Sequence, residues 1–285
     1  MDRRNETASV KTSASVSPDP VGQSPCVLFI IPLIAKANCS DWPGVCSRLQ
    51  DTLDCIRNQT SSQWHVFLVC NEPPKLQADD ARITILCSEF CLKNSNPGAR
   101  SLDKERKLQF GMIHAAKINP RYIMFLDGDD RISNQLVDFV ARRPQSDGFL
   151  ITTGYLYRAG SRWLVRLNRF HMSCGSCYLF RYRKEEAPTR MDQPLGDFWM
   201  LKAHNKHVLS GFRDRQESCT VVPFPAGVYF RGHGDSIRDL FGRRQQGGGR
   251  MMGRGLVDQI RKAVRFCLRA TRVTTAIERV FGTLR

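Results

Sequence analysis

The chain has 285 residues, 41% hydrophobic and 25% charged, an ordinary globular composition that excludes a wholly disordered chain, a coiled coil and a disulfide-stapled mini-protein. Its 43 Lys and Arg against 27 Asp and Glu give a formal charge of +16, yet residues 236–285 alone hold 12 basic and 3 acidic side chains. So uneven a distribution argues against a uniformly basic nucleic-acid binder and for a mildly basic enzyme carrying a strongly basic appendage.

Residues 1–24 contain Ser, Thr, Pro, Asp and Gln but no aromatic side chain, and are expected to form a disordered leader. No apolar segment of a secretory signal is present, and the longest apolar runs, 26–33 and 122–126, fall far short of the ~20 residues that cross a bilayer. A cytoplasmic chain follows. Its eleven cysteines are an odd number without repeated spacing, so reduced thiols are expected. The glycosylation sequons beginning at Asn5, Asn38 and Asn58 then have no consequence.

Residues 26–31 form a continuous apolar run closed by Pro32, the pattern of a strand buried on both faces. Cys46, Leu49, Leu53 and Ile56 recur at helical spacing before a second strand, 64–70. A third strand at 83–87, a helix at 102–117 and a fourth strand at 122–126 continue the alternation. An α/β fold is expected, with an open, mostly parallel sheet covered by helices on both faces, and with ligands beyond the carboxyl ends of the strands. After a short helix (Leu136, Val137, Val140), strands at 149–152, 163–167 and 177–181 suggest a smaller mixed region on the acceptor side. A helix at about 196–207 and an apolar run at 221–229 complete the core at residue 235. Residues 243–255 read as a linker, and Leu256, Ile260, Val264, Cys267, Ile277, Val280 and Leu284 trace one face of a basic amphipathic helix. That helix either packs back on the domain or docks, through 256–285, on an anionic membrane surface.

The strongest chemical signal is the sequence FLDGDD at 125–130. Three carboxylates this close repel one another unless a cation or hydrogen-bond donors compensate them, and a divalent metal with oxygen ligands does so economically. Asp127 and Asp129 project to one side of an extended chain, with Gly128 allowing close backbone approach; a turn followed by a helix cap is the plainer alternative, above all for Asp130.

The pattern resembles the inverting GT-A enzymes of glycosyltransferase family 2. Besides the Asp-x-Asp element, the similarity rests on FIIPL at 29–33, on TLDCIRNQTSSQWHVFLV at 52–69 and on the stretch from Asp103 through RYIMFLDGDD, and it covers roughly residues 26–235. The resemblance implies a GT-A fold, a nucleotide-sugar donor, a divalent cofactor (manganese or magnesium) and a glycan or lipid-linked acceptor. It implies Asp127 and Asp129 as metal ligands, with Asp127 and Gly128 also near the donor, and Pro32 at the donor site. Asn71 or Glu72 stands where the family reads the base, and Lys104 and Lys107 where it makes cationic or amide contacts; a solvated helix face is the alternative for either lysine. His233, between glycines in RGHGDS, would complete the metal site or remain a surface histidine. Sugar transfer needs a general base. Asp197, in LGDFW, is the first candidate and Asp192 the second, capping being the alternative for Asp197. His171, Cys174 and Cys177 are too few and too clustered for a structural zinc site and read as a turn entering a strand. The rival functions are nucleic-acid binding through the arginine-rich tail and nucleotide-sugar binding without turnover.

Overall fold

A computed structural model describes residues 24–90, 92, 96–202, 208–232 and 269–284. The expected leader (all but Ser24), His233 and tail residues 256–268 lie outside the described residues.

Strands β1 (Val27–Pro32), β2 (Trp64–Cys70), β3 (Ile83–Cys87) and β4 (Tyr122–Phe125) pair in parallel in the order β4-β1-β2-β3. The sheet continues beyond β4 through antiparallel β9 (Tyr178–Arg181), then β6 (Gly148–Leu150) and β10 (Cys219–Val221). This is the mostly parallel central sheet that the alternating apolar runs predict. Helix α1 (Trp42–Arg57) starts at Asp41, whose side chain accepts from Gly44 N, with Pro43 in the first turn. Helix α2 (Pro97–Ala115) starts likewise at Asn96, which accepts from Ala99 N. Consecutive residues of β1 face opposite helices. A Cβ on Gly111 of α2 would come within 2.5 Å of Ile30, so only glycine lets α2 approach this closely, whereas Ile31 lies on the side of Leu49 in α1.

A second sheet has the order β12-β8-β7-β11-β5, from β5 (Arg131–Ile132), β7 (Gly154–Arg158), β8 (Trp163–Leu167), β11 (Gly227–Arg231) and β12 (Ala270–Arg272). The apolar run expected at 221–229 divides between β10 and β11, because Pro223 and Pro225 lack the N–H a ladder requires. Helix α3 (Leu136–Ala141) follows β5. The helix expected at 196–207 is instead a 3-10 turn, Leu195–Asp197, followed by the short α4 (Trp199–Lys202), with α5 (Val208–Asp214) beyond.

The continuous helix expected from Leu256 is corrected where it is described. Residues 270–272 form an edge strand, and α6 (Thr275–Phe281) begins at Thr274, whose hydroxyl accepts from Ile277 N. Thr271, Val273, Thr274 and Thr275 are β-branched, which favours a strand and a cap over a helix interior. Phe281 and Leu284 are buried with Tyr157, Leu164, Val228 and Phe230, and Ile277 and Val280 pack against them. This part of the apolar face therefore covers the second sheet. No helix among the described residues is long and apolar enough to cross a membrane.

Candidate active site

In a parallel sheet the two strands that leave β1 in opposite directions open a crevice at their carboxyl ends. Here these are β2 and β4. Asp127, Gly128 and Asp129 follow β4 directly, Pro32 closes β1, and Asn71 and Glu72 follow β2. One edge of the sheet thus carries all of these positions.

Asp127, Asp129 and Asp130 bring one carboxylate oxygen each within 4.8 Å of one another, the one such acidic cluster among the described residues. The three differ in environment. Asp127 and Asp129 are half-buried, whereas Asp130 is buried. Oδ2 of Asp130 accepts from Ser176 Oγ at 2.7 Å and lies 3.1 Å from Cys174 Sγ, and Oδ1 accepts from Phe230 N at 3.2 Å. Ser176 Oγ also accepts from Asp127 N at 2.9 Å. Burial, and then the negative charges of Asp129 and Asp127, push the Asp130 carboxyl up to about 8, against the pull of Ser176 and Cys174. Asp130 is therefore a hub tying the acidic loop to β11 and to the turn before β9, a role beyond that of a helix cap.

Positive charge reaches the cluster from two sides. Lys104 Nζ pairs with Asp127 Oδ1. Burial opposes the ammonium, but Asp127, Asp130 and Asp129 more than offset it and hold its pKa above the usual lysine range. Beneath the loop, Arg131 is buried. Its guanidinium donates to Asp129 O at 3.0 Å, to Thr52 Oγ1 at 2.8 Å and to Asp51 Oδ2 at 3.1 Å. Thr52 Oγ1 in turn lies 3.0 Å from the carbonyls of both Gly128 and Asp130. The backbone of the loop is thus fixed from below while two carboxylates stay at the surface.

The other expected residues divide. Lys107 is fully buried, donating to Asp103 Oδ2 at 2.7 Å and to Leu33 O at 2.8 Å, so it anchors α2 to the end of β1, and Lys104 is the lysine that reaches the acidic loop. Gly128 is not required for close approach, since a Cβ there would meet Ile31, Leu49 and Leu33 at ordinary distances of 3.5–3.7 Å. Asn71 Nδ2 donates to Ser88 O and Phe90 O, both at 2.8 Å, leaving its Oδ1 buried with no hydrogen-bond partner among the described residues. Glu72 is exposed, its Oε2 accepting from Lys36 N at 3.2 Å. Asp197 and Asp192 are exposed, Asp197 ending a 3-10 turn and Asp192 paired with Arg190 at 3.1 Å.

Sequence reasoning did not find Arg131, Thr52, Ser176 or the role of Cys174. An arginine entering a buried strand straight after three aspartates was the available signal. In the His171, Cys174, Cys177 segment, burial, followed by the charge of Asp130, raises both thiols, so the cysteines remain protonated, and Cys174 instead faces Asp130.

No protein-family model and no curated protein matches the chain. Among solved structures, residues 1–349 of S. aureus TarS align at 12% identity over 72% of this chain and 60% of that one, with a TM-score of 0.41. The same fragment in complex with UDP gives 13%, 73%, 61% and 0.39. A chain assigned as a nucleotide-diphospho-sugar transferase of Desulfovibrio desulfuricans G20 gives 7% identity over 85% of this chain and 95% of that one, at 0.37. The chain spans about three fifths of the TarS fragment.

Proposed function

We propose that this chain is a GT-A-like glycosyltransferase that moves a sugar from a nucleotide-sugar donor to an acceptor hydroxyl with inversion. The observation that carries the reading is the acidic loop after β4, fixed from below by Arg131 and Thr52 and open on the crevice side through Asp127 and Asp129. Among the described residues its donors are carboxylate oxygens, which suit manganese or magnesium. Asp127 and Asp129 would hold the ion, with His233 as a further ligand; Asp130 is already committed to Ser176 and Phe230. An ion bound there supplies electrophilic stabilisation of the charge that develops on the departing diphosphate.

The chain's own groups do the rest. Lys104, held at the acidic loop by Asp127, would offer its ammonium to the donor phosphates. Asn71 Oδ1, buried and unmatched, accepts an N–H from the nucleobase, and Glu72 braces the adjoining loop through Lys36. Asp197 takes the acceptor proton; its exposure at the end of a turn leaves it accessible to a bound hydroxyl. The acceptor would be a glycan or a lipid-linked molecule that carries the hydroxyl.

A panel of nucleotide-sugars, followed by thermal shift with and without manganese, tests this reading. One donor should raise the melting temperature more with the metal than without it, because a ligand that binds only the native state stabilises it. Indifference of the protein to every donor would refute the assignment. Asp197→Asn should abolish transfer yet keep that shift, and near wild-type turnover would remove Asp197 from the mechanism.

A further inference from the structure

The second sheet holds a cluster that sugar transfer does not use. β8 and β12 are antiparallel, with Ala270 opposite Val165 and Thr271 opposite Leu164. Arg269 immediately precedes β12 and Asn168 immediately follows β8, so both stand at the end of the ladder that carries Arg166 and Thr271. The four side chains, with Ala270, line an open cleft of ≈ 460 Å³.

Like charges brought to one cleft repel, so stability of the fold does not account for this pair. Elsewhere guanidinium groups meet carboxylates: Arg57 with Asp54, Arg82 with Asp80, Arg183 with Asp147 and Glu217, Arg215 with Glu186. Residues 148–184 contain no Asp or Glu, and among the described residues neither Arg166 nor Arg269 has an ion-pair partner. Every polar side chain of the cleft can donate: two guanidinium forks, one amide and one hydroxyl. Such a set matches an oxyanion with several acceptor oxygens. Among the described residues no large apolar side chain lines the cleft, and exposed Trp163, opposite Arg272 in the ladder, alternates to the other face, so these residues offer nothing to insert into a bilayer.

We propose that the Arg166–Arg269 cleft is an oxyanion site, separate from the acidic loop, that takes a phosphate group from water and not from a lipid surface. It does not depend on the sugar-transfer reading. Both arginines are exposed, so Arg166→Gln with Arg269→Gln should leave the fold intact.

Equilibrium dialysis of the full chain against labelled inorganic phosphate, in metal-free buffer, provides the test. The wild type should bind saturably and more weakly as sodium chloride rises, since exposed charges are screened. The double variant should lose at least about tenfold in affinity, roughly the effect of one lost charge-assisted contact. Arg142→Gln, an exposed arginine of α3, should change nothing. In a parallel arm, sedimentation with phosphatidylglycerol vesicles should be the same for wild type and double variant. Equal phosphate affinity in the two proteins overturns the proposal. So does a double variant that keeps phosphate but loses the vesicles, which would make the face a membrane contact.

Discussion

The two sheets handle charge in opposite ways. At the end of β4, three carboxylates are surrounded by compensation: Lys104 on Asp127, Arg131 beneath the backbone, and Ser176, Cys174 and Phe230 N around Asp130. At the end of the β8–β12 ladder, two arginines line one cleft, with no carboxylate among its described lining residues. A compensated buried network fixes a shape, and its removal is costly. An uncompensated exposed pair contributes nothing to the fold and leaves its donors open to an anion. Substitutions should therefore separate the regions sharply.

The largest effect belongs to Asp129→Asn, which on the proposed function should lower sugar transfer by more than about a hundredfold by removing one of the two carboxylates proposed to hold the metal while leaving the melting temperature of the metal-free protein near its original value. Wild-type turnover in that variant would make the cluster structural only. Next, Arg131→Met should cost about 2–4 kcal/mol in denaturant unfolding, because buried carbonyls and the charge of Asp51 lose their partner. A loss below ~0.5 kcal/mol would show that the loop does not rest on this arginine.

A third effect concerns pH. The folded-state pKa of Asp130, about 8, lies above the ordinary carboxyl value, so the folded chain binds more protons than the unfolded chain between those two limits. Its contribution is fully present below the ordinary carboxyl range and is lost as pH rises through about 8. Metal-free wild type should thus lose stability toward alkaline pH, by at most about 1.4 kcal/mol per unit, and Asp130→Asn should flatten that slope; equal slopes would place the pH sensitivity elsewhere. Smallest of all, Arg269→Glu should raise stability by a few tenths of a kcal/mol, roughly the value of an exposed ion pair. A clear loss would mean that Arg269 has a structural partner after all.

The parallel half of the molecule was legible because its strands are buried on both faces and read as unbroken apolar runs, as in 26–31 and 64–70. The second sheet was not. Gly154–Arg158 mixes aromatic, glycine and arginine, β5 has two residues, and β12 lies inside a set of apolar spacings that mimics one long helix. The β-branched residues 271 and 273–275 carried the contrary signal. At the site, the clustered aspartates announced themselves by local spacing. Arg131, Thr52 and Ser176 did not, because each acts through contacts 46 or more residues away or through backbone atoms whose positions only the fold determines. Lys104 and Lys107 show the same limit: three residues apart on one helix, one reaches the acidic loop and the other is sealed inside.

The most direct measurement is calorimetric titration, into the full chain, of the nucleoside diphosphate of whichever donor the thermal-shift panel selects, in the presence and absence of manganese, for wild type and Asp129→Asn. The account predicts that manganese tightens its binding at least about tenfold in the wild type, equivalent to about 1.4 kcal/mol, and that the substitution erases this gain. An affinity that is the same with and without the metal, or a gain that survives in Asp129→Asn, would contradict it.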